Sequence, residues 1–212
     1  GDCVVVGLEL DRARDVSFGT VGISGGNQKL AGRALSEDHR ALRIGPQAHN
    51  TALLFDARGA LRGSYAKLHL PDEEGFWEGA HYAPGHEAPR LTELDGFPLG
   101  IQLCSDVNRP EGTHLLTAQG ALAVLAPRAT EPESWESWKL VLRANARTAC
   151  CYVVSVNRPR GGRGVPLGGP SFVAGPSGEV VLETLEPLSP ARLDRATVEA
   201  AARADVPVSG PV

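Results

Sequence analysis

Short apolar runs separated by clusters of glycine, proline and acidic residues recur along the chain, and each has the length of a strand. The first, residues 3–8 (CVVVGL), is continuously apolar with three valines, as in a strand buried on both faces. Residues 11–49 turn loop-like, with the glycine-rich SFGTVGISGGNQ and weak helical character in LAGRALSEDHRAL. Residues 51–56 and 61–67 then read as a hairpin closed by Ala57, Arg58 and Gly59, which delivers Lys67 to a strand tip. The densest pattern lies in residues 96–130. An apolar strand over 99–103 meets the turn formers Ser105, Asp106, Asn108 and Pro110; a helix over 111–119 ends before Gly120, and a second buried strand follows over 121–126.

Beyond it, Glu131, Pro132 and Glu133 mark a helix start, after which Trp135, Trp138, Leu142, Ala146 and Ala149 share one face and read as core. Residues 151–156 form another buried strand ending at Asn157. The glycine-rich stretch 158–169 lacks the pattern of a phosphate-binding loop. A hairpin about Pro176, Ser177 and Gly178 joins strands over 171–174 and 179–182, and the tail from residue 188 reads as a peripheral arm.

Composition narrows the class without naming it. A chain of 212 residues, 42% hydrophobic and without an apolar run of membrane-spanning length, is expected to be a soluble α/β protein, most simply of one domain. A formal net charge of -4 with interspersed signs leaves no basic stripe, so nucleic acid and anionic membrane are not expected partners. Cys3, Cys104, Cys150 and Cys151 have neither zinc-site spacing nor the density of a disulfide scaffold, which makes a reducing cytosol the expected compartment. No metal and no cofactor is expected.

Cys104 is the candidate for chemistry. It falls where a buried strand gives way to a turn and a helix, at the carboxyl edge of an α/β sheet where loops converge and ligands bind. The alternative is a buried cysteine acting as a small hydrophobe. His69, His81 and His114 offer a Cys-His pair, but no protease-type signature surrounds Cys104.

A second motif decides between these readings. Lys67, His69, Leu70, Pro71, Asp72, Gly75, Phe76, Glu78, Pro84 and Gly85 occur in the order and spacing of the lysine motif of the nitrilase, or carbon-nitrogen hydrolase, superfamily, which the chain therefore resembles. Gly100, Cys104 and Asp106 match the family's cysteine motif, with Ser105 in place of an aromatic residue. RANARTACCYVVSVNR and GGPSFVAGPSGEVV resemble its later helix, strand and hairpin. The resemblance covers about residues 50–183. It implies a four-layer α-β-β-α sandwich, here lacking its first strand and helix, with much of 11–47 an insertion serving as exposed loop, lid or oligomer contact. It also implies a homodimer or larger homo-oligomer.

The chemistry implied by the resemblance is hydrolysis of a non-peptide C–N bond through a cysteine acyl-enzyme. Cys104 is the nucleophile, Lys67 and the Ser105 backbone N–H hold the oxyanion, and Glu78 positions the lysine or the substrate. The family's base glutamate is expected upstream of Gly1, with Glu9 as the alternative. The loop around Glu78, with Trp77, resembles that of N-carbamoyl amidohydrolases and favours amide or ureido substrates over nitriles. Arg128, at the next strand tip, either clamps a substrate carboxylate or pairs with Glu131 or Glu133. The rival expectation is a binding or regulatory protein that keeps the fold without the base.

Overall fold

The computed structural model describes residues 3–10, 16–23, 49–56, 58–73, 76–158 and 167–204, with the backbone alone for 3–10, 16–23, Trp77 and His81. Two mixed sheets carry the fold. The first has five strands in the order β13-β2-β1-β3-β4, comprising β1 (Cys3–Leu10), β2 (Val16–Ile23), β3 (Thr51–Phe55), β4 (Leu61–Ala66) and β13 (Leu188–Ala191). The second has six in the order β12-β11-β10-β9-β8-β7, comprising β7 (Thr92–Leu94), β8 (Phe97–Ile101), β9 (Ala123–Leu125), β10 (Tyr152–Ser155), β11 (Ser171–Ala174) and β12 (Val180–Thr184). A two-stranded ribbon, β5 (Asp72–Glu73) with β6 (Phe76–Trp77), and a single helical turn, α1 (Glu78–His81), fill the loop after Lys67.

The sheets pack face to face. Ala52, Leu54 and Tyr65 of the first meet Leu99, Ile101, Ala123, Leu125, Tyr152 and Val154 of the second in one buried cluster. The alternation along β9, β10 and β11 sends Val124, Val153 and Phe172 the other way, against α2 (Pro110–Ala118) and α3 (Trp135–Ala149). Three layers of the expected α-β-β-α order are thus built from described residues.

Local chemistry explains these elements. Pro110 occupies the first turn of α2, where its missing N–H costs nothing, and Gly120 takes φ +105° just past the helix end. Trp135, Trp138, Leu142, Ala146 and Ala149 all face the six-stranded sheet, as their spacing predicts. The β3–β4 turn is held by Asp56, whose Oδ1 accepts the Arg58 and Ala60 N–H groups at 2.9 Å each while Oδ2 pairs with Arg62 at 2.6 Å.

Two expectations need correction. Part of the supposed loop is strand: β2 runs antiparallel to β1 from Cys3↔Ile23 to Leu10↔Val16, and its glycines had masked it. The LAGRALSEDHRAL stretch lies outside the described residues. The supposed peripheral tail is integral, because β13 pairs with β2, and Leu193 and Val198, from α4 (Arg195–Ala204) and the turn before it, are buried in the inter-sheet core. Pro190 fits within β13 because this is an edge strand, where proline is tolerated.

Candidate active site

Strands β8, β9 and β10 run parallel, so their carboxyl-terminal tips lie along one edge, and β4, antiparallel to β3, brings Lys67 to the same edge beside the start of β3. Buried polar side chains gather around this edge: Gln102, Asp106, Thr113, Arg128, Thr130, Asn145 and Asn157. Burying them requires that each find partners, and the partners define the site.

Cys104 follows β8 and opens a short 3-10 turn, Cys104–Asn108. Its φ of +46° places a β-carbon-bearing residue in the left-handed region, a strained conformation that presents the side chain at the tip of a sharp bend. The bend is suspended from buried side chains. Gln102 Nε2 donates to the Asp106 carbonyl at 3.3 Å and is itself held by Thr113, and Asn145 donates to the Val107 carbonyl at 2.6 Å. The Cys104 N–H donates to the Pro127 carbonyl at 3.0 Å, which ties the bend to the tip of β9.

Lys67 arrives from the opposite sheet at the end of β4. Its N–H donates to the Asn50 carbonyl and its carbonyl accepts the Gly85 N–H, both at 2.8 Å. A β-carbon on Gly85 would collide with the Ala66 carbonyl oxygen, so this crossing requires glycine. The side chain is fully buried, with Nζ 2.7 and 2.8 Å from the two carboxylate oxygens of Glu78. Glu78 Oε2 also accepts from Asn50 Nδ2 at 3.2 Å.

Asp106 binds the two tips together. Its Oδ1 accepts the His69 N–H at 2.9 Å and faces the ring Nδ1 at 2.8 Å; its Oδ2 accepts the Tyr65 hydroxyl at 2.8 Å and the Leu103 N–H at 3.3 Å. Ser105 Oγ closes the same seam by donating to the His69 carbonyl at 2.6 Å. Burial, and after it the Asp106 carboxylate, push the Tyr65 phenol far above its ordinary range, so it remains a donor.

The electrostatics at the sulfur follow from these contacts. Burial pushes the Cys104 thiol up, against the pull of the Lys67 charge and of the Ala129 and Ser105 backbone N–H groups, while the Glu78 charge adds to the rise. The resting group is therefore a thiol. Among the described residues, no carboxylate is hydrogen bonded to its sulfur.

The structure thus brings Cys104, Ser105, Lys67, Glu78 and Arg128 to one edge. Trp77 is placed by its backbone in β6 next to Glu78. Glu9 lies on β1 opposite Ser17, with its side chain outside the description. Arg128 makes no ion pair among the described residues, so the expected alternative of a Glu131 or Glu133 partner is not found. His69 contacts Asp106 and His114 contacts Thr148 Oγ1, neither of them the thiol. Asn50 and the bracing roles of Asp106 and Tyr65 escaped the sequence reading. The cysteine motif includes Asp106 without revealing these contacts; Tyr65 and Asn50 carry no local signal.

A family model described as carbon-nitrogen hydrolase matches residues 29–203. N-carbamoylputrescine amidase of Arabidopsis thaliana is 29% identical over 150 residues, covering 64% of this chain and 50% of that protein. Deaminated glutathione amidase of Synechocystis is 34% identical over 116 residues, covering 51% and 43%. The chain spans about half the length of these curated relatives. Among solved structures, Saccharomyces cerevisiae Nit3, a member of the nitrilase superfamily, superposes with TM-score 0.67 at 27% identity, covering 77% of this chain and 59% of that one. A carbon-nitrogen hydrolase from Helicobacter pylori superposes with TM-score 0.70 at 24% identity, covering 76% and 62%. With the lysine and cysteine motifs meeting at one sheet edge and the family model matching most of its length, the chain belongs to the carbon-nitrogen hydrolase family of the nitrilase superfamily.

Proposed function

We propose that this chain carries the catalytic centre of a thiol hydrolase that cleaves an amide or N-carbamoyl C–N bond in a small molecule. The observation that carries the proposal is the buried Lys67–Glu78 ion pair set beside a cysteine on a left-handed strand-tip turn. An ordinary structural cysteine needs neither the strained bend nor the charged neighbours.

In this reading the Cys104 sulfur attacks the carbonyl carbon as its proton passes to a carboxylate base. The carbonyl oxygen gains negative charge facing the Lys67 ammonium and the Ser105 N–H, where one such donor contributes on the order of a hundredfold in rate. Collapse breaks the C–N bond, and the base returns the proton to the departing amine. Water, deprotonated by the same base, then cleaves the thioester and restores the thiol. Glu78 is engaged by Lys67 and Asn50, so it suits holding the lysine in place better than shuttling protons. The resemblance gives the base role to a glutamate of an earlier strand; Glu9, the alternative within this chain, lies on β1 past the Phe55 end of β3, away from the Thr51–Ala66 end that delivers Lys67. The names of the amidase relatives support ureido and primary-amide substrates ahead of nitriles.

The test is ammonia release from a panel of N-carbamoyl amines, primary amides and nitriles, with Cys104→Ala as control and mass spectrometry of the quenched enzyme. Turnover lost in the variant, with an acyl adduct on the Cys104 peptide, is expected. Equal release by the variant, or none by the native protein, would leave the fold serving as a binding or regulatory module.

A further inference from the structure

Arg128 is a second buried cation at this edge, and the reaction outlined above does not use it. It follows β9 and is 5% exposed. Of its five N–H donors, one terminal nitrogen reaches Thr130 Oγ1 at 3.3 Å and the other reaches the Pro170 carbonyl, while the buried Nε has no partner among the described residues. The guanidinium lies 4.8 Å from the centroid of the Trp135 ring. Whereas Lys67 is neutralised by Glu78, Arg128 has no carboxylate within 4.0 Å among the described residues.

Its neighbours in sequence link it to the nucleophile. Pro127 accepts the Cys104 N–H, the Ala129 N–H acts on the thiol, and the Cys104 charge state in turn affects the guanidinium. Burial pulls its pKa down to about 10, which leaves it charged at neutral pH. A buried cation without a counter-ion is costly to keep unless an anion arrives to complete it. The planar fork of arginine matches a carboxylate, and a carboxylate delivered with the substrate would supply the missing charge only while the site is occupied.

We propose that Arg128 is a specificity-determining residue that selects substrates bearing a carboxylate close to the scissile C–N bond. This inference rests on the reading of Cys104 as the nucleophile.

Alkylation of Cys104 tests it without turnover. Rates for iodoacetate, which places a carboxylate beside the electrophilic carbon, and for neutral iodoacetamide are measured by mass spectrometry of the Cys104 peptide. The native protein is expected to show an iodoacetate-to-iodoacetamide ratio above that of free cysteine. Arg128→Gln should lower that ratio about tenfold, and Arg128→Lys by less, since it keeps the charge and loses the fork. In the native protein, glutarate should slow iodoacetamide labelling while glutaramide at equal concentration does not, a measurement that needs no folded variant. Parallel slowing of both reagents in Arg128→Gln, or equal protection by the two ligands, would overturn the anion-selecting role and leave the hydrolase reading intact. A Cys104 inert to both reagents would defeat the nucleophile reading and this inference with it.

Discussion

Asp106 and His69 stand two residues beyond Cys104 and Lys67 respectively, and a single carboxylate oxygen of Asp106 meets both the backbone N–H and the ring Nδ1 of His69. The spacing of cysteine and lysine across the two sheets is therefore set by a contact between neither of them. Tyr65→Phe removes one hydrogen bond to a buried carboxylate and should cost about 1.5–3 kcal/mol in urea unfolding. Asp106→Asn preserves shape but loses the charge and offers an N–H group to donors already present, so a loss of about 3 kcal/mol is expected. Hydrolysis should fall more steeply than stability in both variants, because the seam positions the reacting groups.

The left-handed conformation of Cys104 is a second source of testable energy. Relief of strain at φ +46° should make Cys104→Gly more stable than Cys104→Ala by about 1 kcal/mol. Neither variant should hydrolyse substrate. A glycine variant less stable than the alanine one would show that the bend carries no strain.

Glu78 and Lys67 should separate thiol reactivity from hydrolysis. Glu78→Gln removes a charge that raises the Cys104 pKa and leaves the Lys67 charge unopposed, so the thiolate fraction increases. Iodoacetamide labelling near pH 8 should quicken by about three- to tenfold as the thiol pKa falls. Hydrolysis should drop on the order of a hundredfold as the ammonium loses its anchor. Lys67→Met should slow both, since Glu78 then acts on the thiol alone.

The pH dependence follows from the same direction of shift. A thiol raised by burial ionises later than a free one, so labelling of native Cys104 should still be climbing above pH ~8.5, where free cysteine is half ionised. A plateau near pH 7 in the described chain would contradict the raised thiol.

Gly85→Ala tests the crossing that fixes Lys67. The added methyl group meets the Ala66 carbonyl, a backbone atom with little freedom to retreat, and the Gly85–Lys67 hydrogen bond would stretch or break. A loss of about 2 kcal/mol or more, with reduced hydrolysis, is expected.

Much of this site could be read from local sequence because its elements are bounded by residues with strong conformational rules. Pro110 and Gly120 bracket the helix after Cys104, and Asp56 to Gly59 close the hairpin that ends at Lys67. What escaped was non-local. β2 owes its extended form to pairing with β1, which outweighs the flexibility of Gly19 and Gly22, and β13 owes its form to an edge position that tolerates Pro190. The Asp106–Tyr65 bond joins residues 41 apart and leaves no periodicity behind. The carboxylates near Arg128 in sequence suggested a surface pair, whereas burial beside Trp135 separates it from them.

β12 is an outer strand of the six-stranded sheet and β13 an outer strand of the five-stranded one, with only residues 185–187 between them. That short link works as the spine of a book whose covers are the two sheets, with the reactive groups held where pages from both covers meet. A protease cut at the exposed Leu185 would leave every strand whole, and the covers would then be joined only by the chain between β4 and β7, residues 67–91, besides side-chain packing and the seam of Asp106 and Ser105 on His69.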